Sequence, residues 1–277
     1  MRLFAERNFL FKRPRRALTS VVLVLLVFTG CKTPDFIGRR YDNFTAYYNT
    51  FYNAERVFET GYDNLSRTSQ PIDRLHFLPL FPRTTGAGSR DFENAVLKSA
   101  NLLREHPDSK WVDDALLLIG KSYYFQENFV GATQKFREVA ELGSELESEG
   151  RFWLARALTT SGAYEEAEEE LSLASLGEDV PRKWLSQFGL LLGELKVKQQ
   201  AWQEAADFLE SSIPQVKDKE LAGRSQFLLG QVLEQIGEYA SSVEAFERVS
   251  RFTPSYELDY AARYSAVRIE GRYLDPQ

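Results

Sequence analysis

One repeating unit of this chain runs from Trp111 to Ala140 and reads WVDDALLLIGKSYYFQENFVGATQKFREVA. A small residue, Gly120, lies in its first half, and the aromatic Phe129 opens its second half, with Phe136 seven residues later. A small residue lets two helices approach closely, and large apolar side chains on the facing helix fill the space between them. The unit therefore predicts a helix, a turn and a second helix.

Four columns of residues recur in this register along the rest of the chain. Each column advances in steps of 35, 38 and 37 residues, which is close to the roughly 34 residues of tetratricopeptide repeats. The residue types also resemble that family, so the predicted fold class is all-α, a right-handed solenoid of tetratricopeptide-like helix-turn-helix repeats. The columns are Gly120, Ala155, Gly193, Gly230; Phe129, Tyr164, Trp202, Tyr239; Ala132, Ala167, Ala205, Ser242; and Phe136, Leu171, Leu209, Phe246.

The same register extends the repeats towards both ends of the chain. One period upstream it predicts a second helix over 89–105, and aromatic residues at helical spacing predict its first helix over 37–66. The Pro- and Gly-rich stretch of about 67–89 between them is expected to be an inserted loop. A last helix over 256–272 should cover the end of the stack. Because single helical hairpins cannot bury their own apolar sides, residues 37–277 should form one continuous domain.

The N-terminus has the layout of an export signal. Six basic residues and one acid precede an apolar run over 17–28, which is shorter than the roughly 20 residues that span a bilayer. Phe28-Thr29-Gly30-Cys31 then resembles the lipobox of bacterial lipoproteins, whose cysteine carries a diacylglycerol. We therefore predict a signal peptide over 1–30, lipidation of Cys31 and a tether over 31–36. The alternative is an ordinary secretory signal whose cleavage leaves a free thiol.

Charge and cysteine content exclude several classes of protein. Without residues 1–30 the formal net charge falls from −6 to −11, so nucleic acid is not an expected partner. Because Cys31 is the only cysteine, no disulfide can form within one chain. We expect the mature domain to lie in the periplasm, anchored to the outer membrane.

Three segments resemble the PorW and SprE lipoproteins. Asn43–Asn53 is similar to the Asn- and aromatic-rich run that follows the lipidated cysteine in that family. Leu78–Phe81 resembles its L-L-P-x-F segment, and Trp111–Gln126 resembles its first full repeat. The resemblance covers about residues 31–140. It implies a lipoprotein of the type IX secretion and gliding machinery of the Bacteroidetes group, linking the outer-membrane channel to the periplasmic ring complex.

Past residue 140 the repeats are generic and resemble equally the BamD type of outer-membrane assembly lipoprotein. The leading hypothesis is thus a protein-binding scaffold in secretion, with an outer-membrane assembly adaptor as the alternative. Both functions imply other protein subunits as partners and no small-molecule substrate.

Two surfaces are candidate partner-binding sites. In repeats of this class the first helices supply the inner wall, so residues just after the small position should face a partner. At the N-terminus, three uncharged polar residues stand four apart on one helical face, where they would hydrogen-bond to the inserted loop or to a partner. The inner-wall candidates are Lys121, Tyr124, Arg156, Glu194 and Gln231, and the N-terminal candidates are Thr45, Asn49 and Asn53.

The N-terminal aromatic residues allow two interpretations. Phe44, Tyr48, Phe51 and Tyr52 could form a docking surface, or they could pack on the helix at 89–105. Burial in the core is the expectation that we adopt.

No catalytic, cofactor-binding or metal site is predicted. His76 and His106 are the only histidines, and neither has a second nitrogen or thiolate ligand nearby in the sequence. The acids of 165–170 open a predicted helix and are expected to form a solvated face rather than a catalytic pair. A cell-wall enzyme is the remaining alternative, but the sequence offers no set of nucleophile, base and oxyanion donors for it.

Overall fold

A computed structural model describes residues 35–67, 72–73, 76–81, 84–177 and 180–275. Within these ranges the chain is helical and contains no strand. The helices are α1 (Asp35–Thr45), α2 (Tyr52–Arg67), α3 (Ser89–Glu105), α4 (Val112–Phe125), α5 (Phe129–Glu141), α6 (Glu147–Ser161), α7 (Tyr164–Ser175), α8 (Arg182–Lys198), α9 (Trp202–Ser212), α10 (Lys219–Ile236), α11 (Tyr239–Arg248) and α12 (Tyr256–Ile269).

The helices from α2 onward stack in chain order as a two-layered solenoid. Each packs against the next, and the first helices of successive repeats also contact one another, as α6 does with α4 and α8. The first helices, α2, α4, α6, α8, α10 and α12, therefore form one layer, and the second helices form the other. The predicted all-α repeat solenoid is confirmed.

The small and large columns of the sequence meet inside each repeat. A Cβ atom added to Gly120 would lie 2.5 Å from the ring of Phe136, and one added to Gly230 would lie 2.8 Å from the ring of Phe246. Phe136 and Phe246 are both buried. The missing side chain thus lets the second helix of a repeat approach the first within van der Waals contact.

In each complete repeat, one residue of the turn between the two helices has a left-handed backbone conformation. Glu127, Gly162, Gln200 and Gly237 all have φ between 61° and 93°, and they keep the spacing of the four columns. This conformation caps a helix and reverses the chain, and it suits glycine better than other residues. Only two of the four positions hold glycine, so the sequence did not reveal this column.

The N-terminal helix matches the expected range but contains an irregularity. Helical structure runs from Asp35 to Arg67, with a π-helical stretch over Ala46–Phe51 that separates α1 from α2. Phe51 is buried and stacks on Trp111 at 5.3 Å between ring centroids. Phe44 and Tyr52 are 60% and 45% exposed, so the prediction that they lie in the core is wrong. The π-helical stretch changes the residues per turn, which rotates Phe44 away from the face of Phe51.

The acids that open α7 are more than a solvated face. Glu166 pairs with Arg137 of α5, and Glu170 approaches Arg151 of α6 at 3.4 Å. Glu168 accepts a hydrogen bond at 2.8 Å from the buried Lys196 of α8, and this bond lowers the pKa of Glu168. Glu166 and Glu168 therefore join neighbouring repeats, whereas Glu170 joins the two helices of its own repeat.

Some of the sequence predictions lie beyond the described part of the chain. The signal segment and Cys31 are among these. The inserted loop does separate α2 from α3, and its described residues include His76–Phe81, which we call the groove segment.

Candidate functional site

The groove segment lies across the layer of first helices, which we call the inner layer of the solenoid. Its residues meet successive repeats in descending order, from Gln231 on α10 to Glu194 on α8 and then to α6. Farther along the loop, Thr84 donates a hydrogen bond to Glu127 at the end of α4 (2.7 Å). The loop thus follows the inner layer as a bound peptide would, from the late repeats to the early ones.

Three side chains of the inner layer bind the backbone of the groove segment. The amide of Gln231 donates to the carbonyl of His76 (2.9 Å) and accepts from the N–H of Leu78 (2.8 Å). Arg224 of α10 donates to the carbonyls of Pro79 and Leu80, and Glu194 accepts from the N–H of Leu80 (3.3 Å). Every one of these bonds is made to a main-chain group, so the groove recognises an extended backbone.

In the groove segment two aromatic rings flank two aliphatic anchors. Phe77 stacks on Trp202 with ring centroids 5.1 Å apart, and Phe81 meets Phe152 edge-on at 5.3 Å. Leu78 and Leu80 are both buried, and Leu80 is only 1% exposed. Leu78 belongs to an apolar cluster with Phe227, whereas Leu80 belongs to a separate cluster with Leu190 and Leu228.

Arg156 sits among aromatic rings at the early end of the groove. Its guanidinium carbon lies 4.5 Å from the ring centroid of Trp153, 4.8 Å from that of Tyr124 and 5.2 Å from that of Phe81. The side chain is only 5% exposed, and a cation desolvated against ring faces is attracted by their negative π-surfaces. Arg156 therefore contacts Phe81, the last ring of the groove segment, and itself packs on Tyr124 and Trp153.

Three of the predicted inner-wall residues thus contact the groove segment directly, namely Arg156, Glu194 and Gln231. Tyr124 reaches it only through Arg156, and its hydroxyl lies 3.1 Å from that of Thr160. Lys121 instead forms an ion pair with Glu149 at 2.6 Å. Sequence reasoning missed Arg224, although it lies two helical turns before Gln231 and hence on the same face.

The predicted N-terminal ridge contacts the protein differently from what we expected. The hydroxyl of Thr45 donates to carbonyls of its own helix, at Tyr41 and Asp42 (both 3.0 Å), and not to the inserted loop. Asn53 is partly buried, and the side chain of Asn49 lies outside the described part of the structure. A β-hydroxyl in a helix readily satisfies itself on the preceding turn, which accounts for Thr45.

A residue outside this ridge, Asn43, hydrogen-bonds to a different turn, the one over 109–111. Its side-chain oxygen accepts from the N–H of Lys110 (2.9 Å) and from the hydroxyl of Ser109 (3.1 Å). Its carbonyl accepts from the indole of Trp111 (3.1 Å). Asn43 therefore ties α1 to the turn that precedes α4, and the Asn-rich opening of the domain is partly structural.

Open space remains in the groove beside the bound segment. A cavity of about 1290 Å³ extends between the groove segment and the early first helices, with lining residues that include Tyr62, Lys121, Phe125, Trp153, Lys183, Trp184 and Gln187. Its wall combines these rings and basic side chains with acids, which include Glu59, Asp63, Asp218, Glu220 and Glu257. Cavities of this size accommodate peptide side chains.

The described residues contain no group of three or more His, Cys, Asp and Glu side chains placed to hold a metal ion. His76 is exposed and pairs with Asp73 at 2.6 Å. His106 follows α3 and lies 2.5 Å from Asp42. Of the helices that the structure describes, none has the length and apolarity to cross a membrane.

Comparisons with known proteins agree with the repeat register. The family model described as tetratricopeptide repeat matches residues 117–180. The search of curated proteins found no match. A solved structure titled "Crystal Structure of Rap Protein Complexed with Competence and Sporulation Factor" is similar, with a TM-score of 0.52 and 16% sequence identity. The similarity covers 67% of this chain and 55% of that one, and at this identity it shows the fold alone.

The helical register and these matches support a solenoid of tetratricopeptide-like repeats, with the family match itself confined to residues 117–180. Such a repeat fold supports a general role as a protein–protein interaction scaffold.

Proposed function

We propose that this chain is a lipid-anchored scaffold whose groove binds an extended segment of a partner protein within a secretion machine at the outer membrane. The observation that carries the binding role is the groove itself. Gln231, Arg224 and Glu194 present hydrogen-bonding groups to the main chain of a peptide, while apolar clusters receive its side chains. Backbone contacts supply affinity in this mode of recognition, and side-chain pockets supply selectivity.

The secretion role rests on the N-terminal half of the chain. The resemblance to PorW and SprE includes Leu78–Phe81, which lies in the groove, and Asn43, which fastens α1 to the repeats. We therefore assign the type IX machinery as the setting, with the anchor on Cys31 holding the domain at the periplasmic face.

Affinity capture after mild crosslinking in cells tests this proposal. The tagged full-length protein should recover channel or ring components of the type IX system. The Cys31→Ser variant serves as the matched control, because it keeps the groove and removes the anchor, and it should recover fewer membrane components. Recovery of barrel-assembly proteins in place of secretion components would replace the secretion role with the assembly role.

A further inference from the structure

We infer that the groove segment is an intramolecular ligand, which a partner segment of similar chemistry displaces when it binds. This inference rests on the proposed function, because it names what the binding groove recognises and how the groove is kept closed. The partner segment would be extended and would carry an aliphatic–Pro–aliphatic core flanked by aromatic residues, as in Phe77-Leu78-Pro79-Leu80-Phe81.

The loop is much longer than the connection between α2 and α3 requires. The backbone at Gly88, just before α3, lies against Gly61 of α2, where an added Cβ would be 2.5 Å from the Gly61 carbonyl oxygen. Antiparallel neighbouring helices are ordinarily joined by about 2–8 residues. Here the chain leaves α2 at Arg67, reaches α10, and returns to α3 at Ser89. The excursion therefore serves the groove and not the helical hairpin.

The contacts of the groove segment are those of a ligand. Its main chain is bound by groove side chains at His76, Leu78, Pro79 and Leu80. These bonds would form equally well with the main chain of another protein in the same path. Selectivity comes from the two aliphatic anchors and the two rings, together with a proline, which suits an extended ligand because it fixes φ and lacks an N–H.

The unfilled part of the groove explains how a partner segment could displace the groove segment. A tethered segment has an effective concentration of about millimolar, so a free segment with identical contacts would compete poorly. The cavity beside the groove segment offers further contacts to rings such as Trp153 and Trp184. A longer partner segment can use them and thereby gain the affinity that displacement needs.

An empty groove would expose Leu78 and Leu80 together with the clusters that receive them. Exposed apolar surface of this kind is unfavourable in water. The intramolecular ligand therefore keeps the scaffold closed until a partner supplies equivalent apolar groups, and the open form should be a minor state.

Peptide binding in trans tests the inference directly. The probe is a labelled peptide of residues 72–84, IDRLHFLPLFPRT, and the control is its scrambled sequence. Leu78→Asp with Leu80→Asp should free the groove in the mature chain and raise affinity for the probe at least tenfold over the parent. Adding Gln231→Ala and Arg224→Ala should abolish this gain. No gain in a helical, monomeric double variant would overturn the inference.

Hydrogen exchange on the unmodified chain provides a test that does not depend on variants. The amides of Leu78 and Leu80 should exchange at least tenfold faster than the protected amides of α8 and α10, because the segment opens without unfolding the helices. If the amides of Leu78 and Leu80 exchanged only at the rate of global unfolding, the segment would be a fixed part of the fold, and the inference would be contradicted. A dimer that forms by swapping segments between copies would also contradict it.

The two proposals can fail separately. If the probe binds the opened variant but cell capture recovers no secretion component, the secretion role fails and the displacement stands. If capture succeeds but the segment never exchanges, the displacement fails alone.

Discussion

Gln231 shows how one residue joins the repeats to the groove segment. A primary amide carries both donors and acceptors, so this side chain satisfies a carbonyl at His76 and an N–H at Leu78 at the same time. No charged residue can do both, because a carboxylate only accepts and an ammonium group only donates. A neutral amide at this position of the inner wall therefore suits a main-chain ligand.

Gln231→Ala should destabilise the domain by about 1–2 kcal/mol, since the partly buried N–H of Leu78 and the exposed carbonyl of His76 lose their partner. Urea unfolding followed by circular dichroism measures this change. Gln203→Ala is the matched control, because Gln203 is exposed and its amide bonds only to Asp207, one turn away. Equal stability of the two variants would show that the groove segment is not held by Gln231.

Asp114 is the residue that should make stability depend most on pH. Burial, followed by the charge of Asp113, raises its pKa from 3.8 to about 6. The folded state therefore binds more protons than the unfolded state between about pH 4 and 6, and the favourable contribution is lost as the pH rises through this window.

Asp114→Asn should consequently stabilise the domain at pH 7.5, by about 1 kcal/mol once solvent screening is allowed for, and should have little effect near pH 4. Thermal unfolding across this pH range measures the difference. Asp207→Asn, on an exposed acid of α9, should leave the profile unchanged. A stabilisation that is the same at both pH values would contradict the assigned pKa.

At the scale of helices, close packing within each repeat depends on the absence of a side chain at the small position. Gly230→Ala would put a Cβ 2.8 Å from the ring of Phe246, which cannot easily move because it packs at 5.1 Å against Phe227. Overpacking costs about 1–3 kcal/mol, and alanine returns about 1 kcal/mol of helix propensity. We expect a net loss of up to about 2 kcal/mol in the free energy of unfolding.

Gly271→Ala is the control for this substitution, because nothing lies within 4 Å of its added Cβ. It should be neutral or slightly stabilising. The account of the small column would be wrong if both variants gained stability.

The helical register could be predicted from the sequence because it depends on contacts within and between adjacent repeats. Gly120 and Phe136 are only sixteen residues apart, and the same pair recurs in later repeats. The exposure of Phe44 could not be predicted, since a π-helical stretch leaves no periodic signal. The partners of Gln231 were also beyond prediction, because the contact with Leu78 spans 153 residues and no pattern marks where a loop will fold back.

One signal of the filled groove was nevertheless present in the sequence. A loop exposed to water has little reason to carry Phe77, Leu78, Leu80 and Phe81 within five residues. Such a cluster indicates a segment that packs against something, although it cannot say against which helices. The sequence thus predicted several residues of the inner wall, but it did not predict that the groove segment covers them.

For the molecule as a whole, the anchor and the groove should be separable functions. The Cys31→Ser variant should leave the membrane fraction, because a lipid-linked cysteine is the only anchor that we propose. Its unfolding transition should match that of the parent, since the repeats bury their core independently of the lipid. Cell fractionation with labelled fatty acid measures both incorporation and location, and an unmodified but membrane-bound variant would contradict the proposed anchor.

The central claim is that the inner groove is the surface that engages another protein. A photocrosslinking amino acid placed at Gln187, which lines the open part of the groove, tests it in living cells. The matched position is Glu169, which is exposed on the outer-layer helix α7. Our account predicts a specific protein adduct from position 187 and none from position 169. Adducts only from position 169 would contradict it.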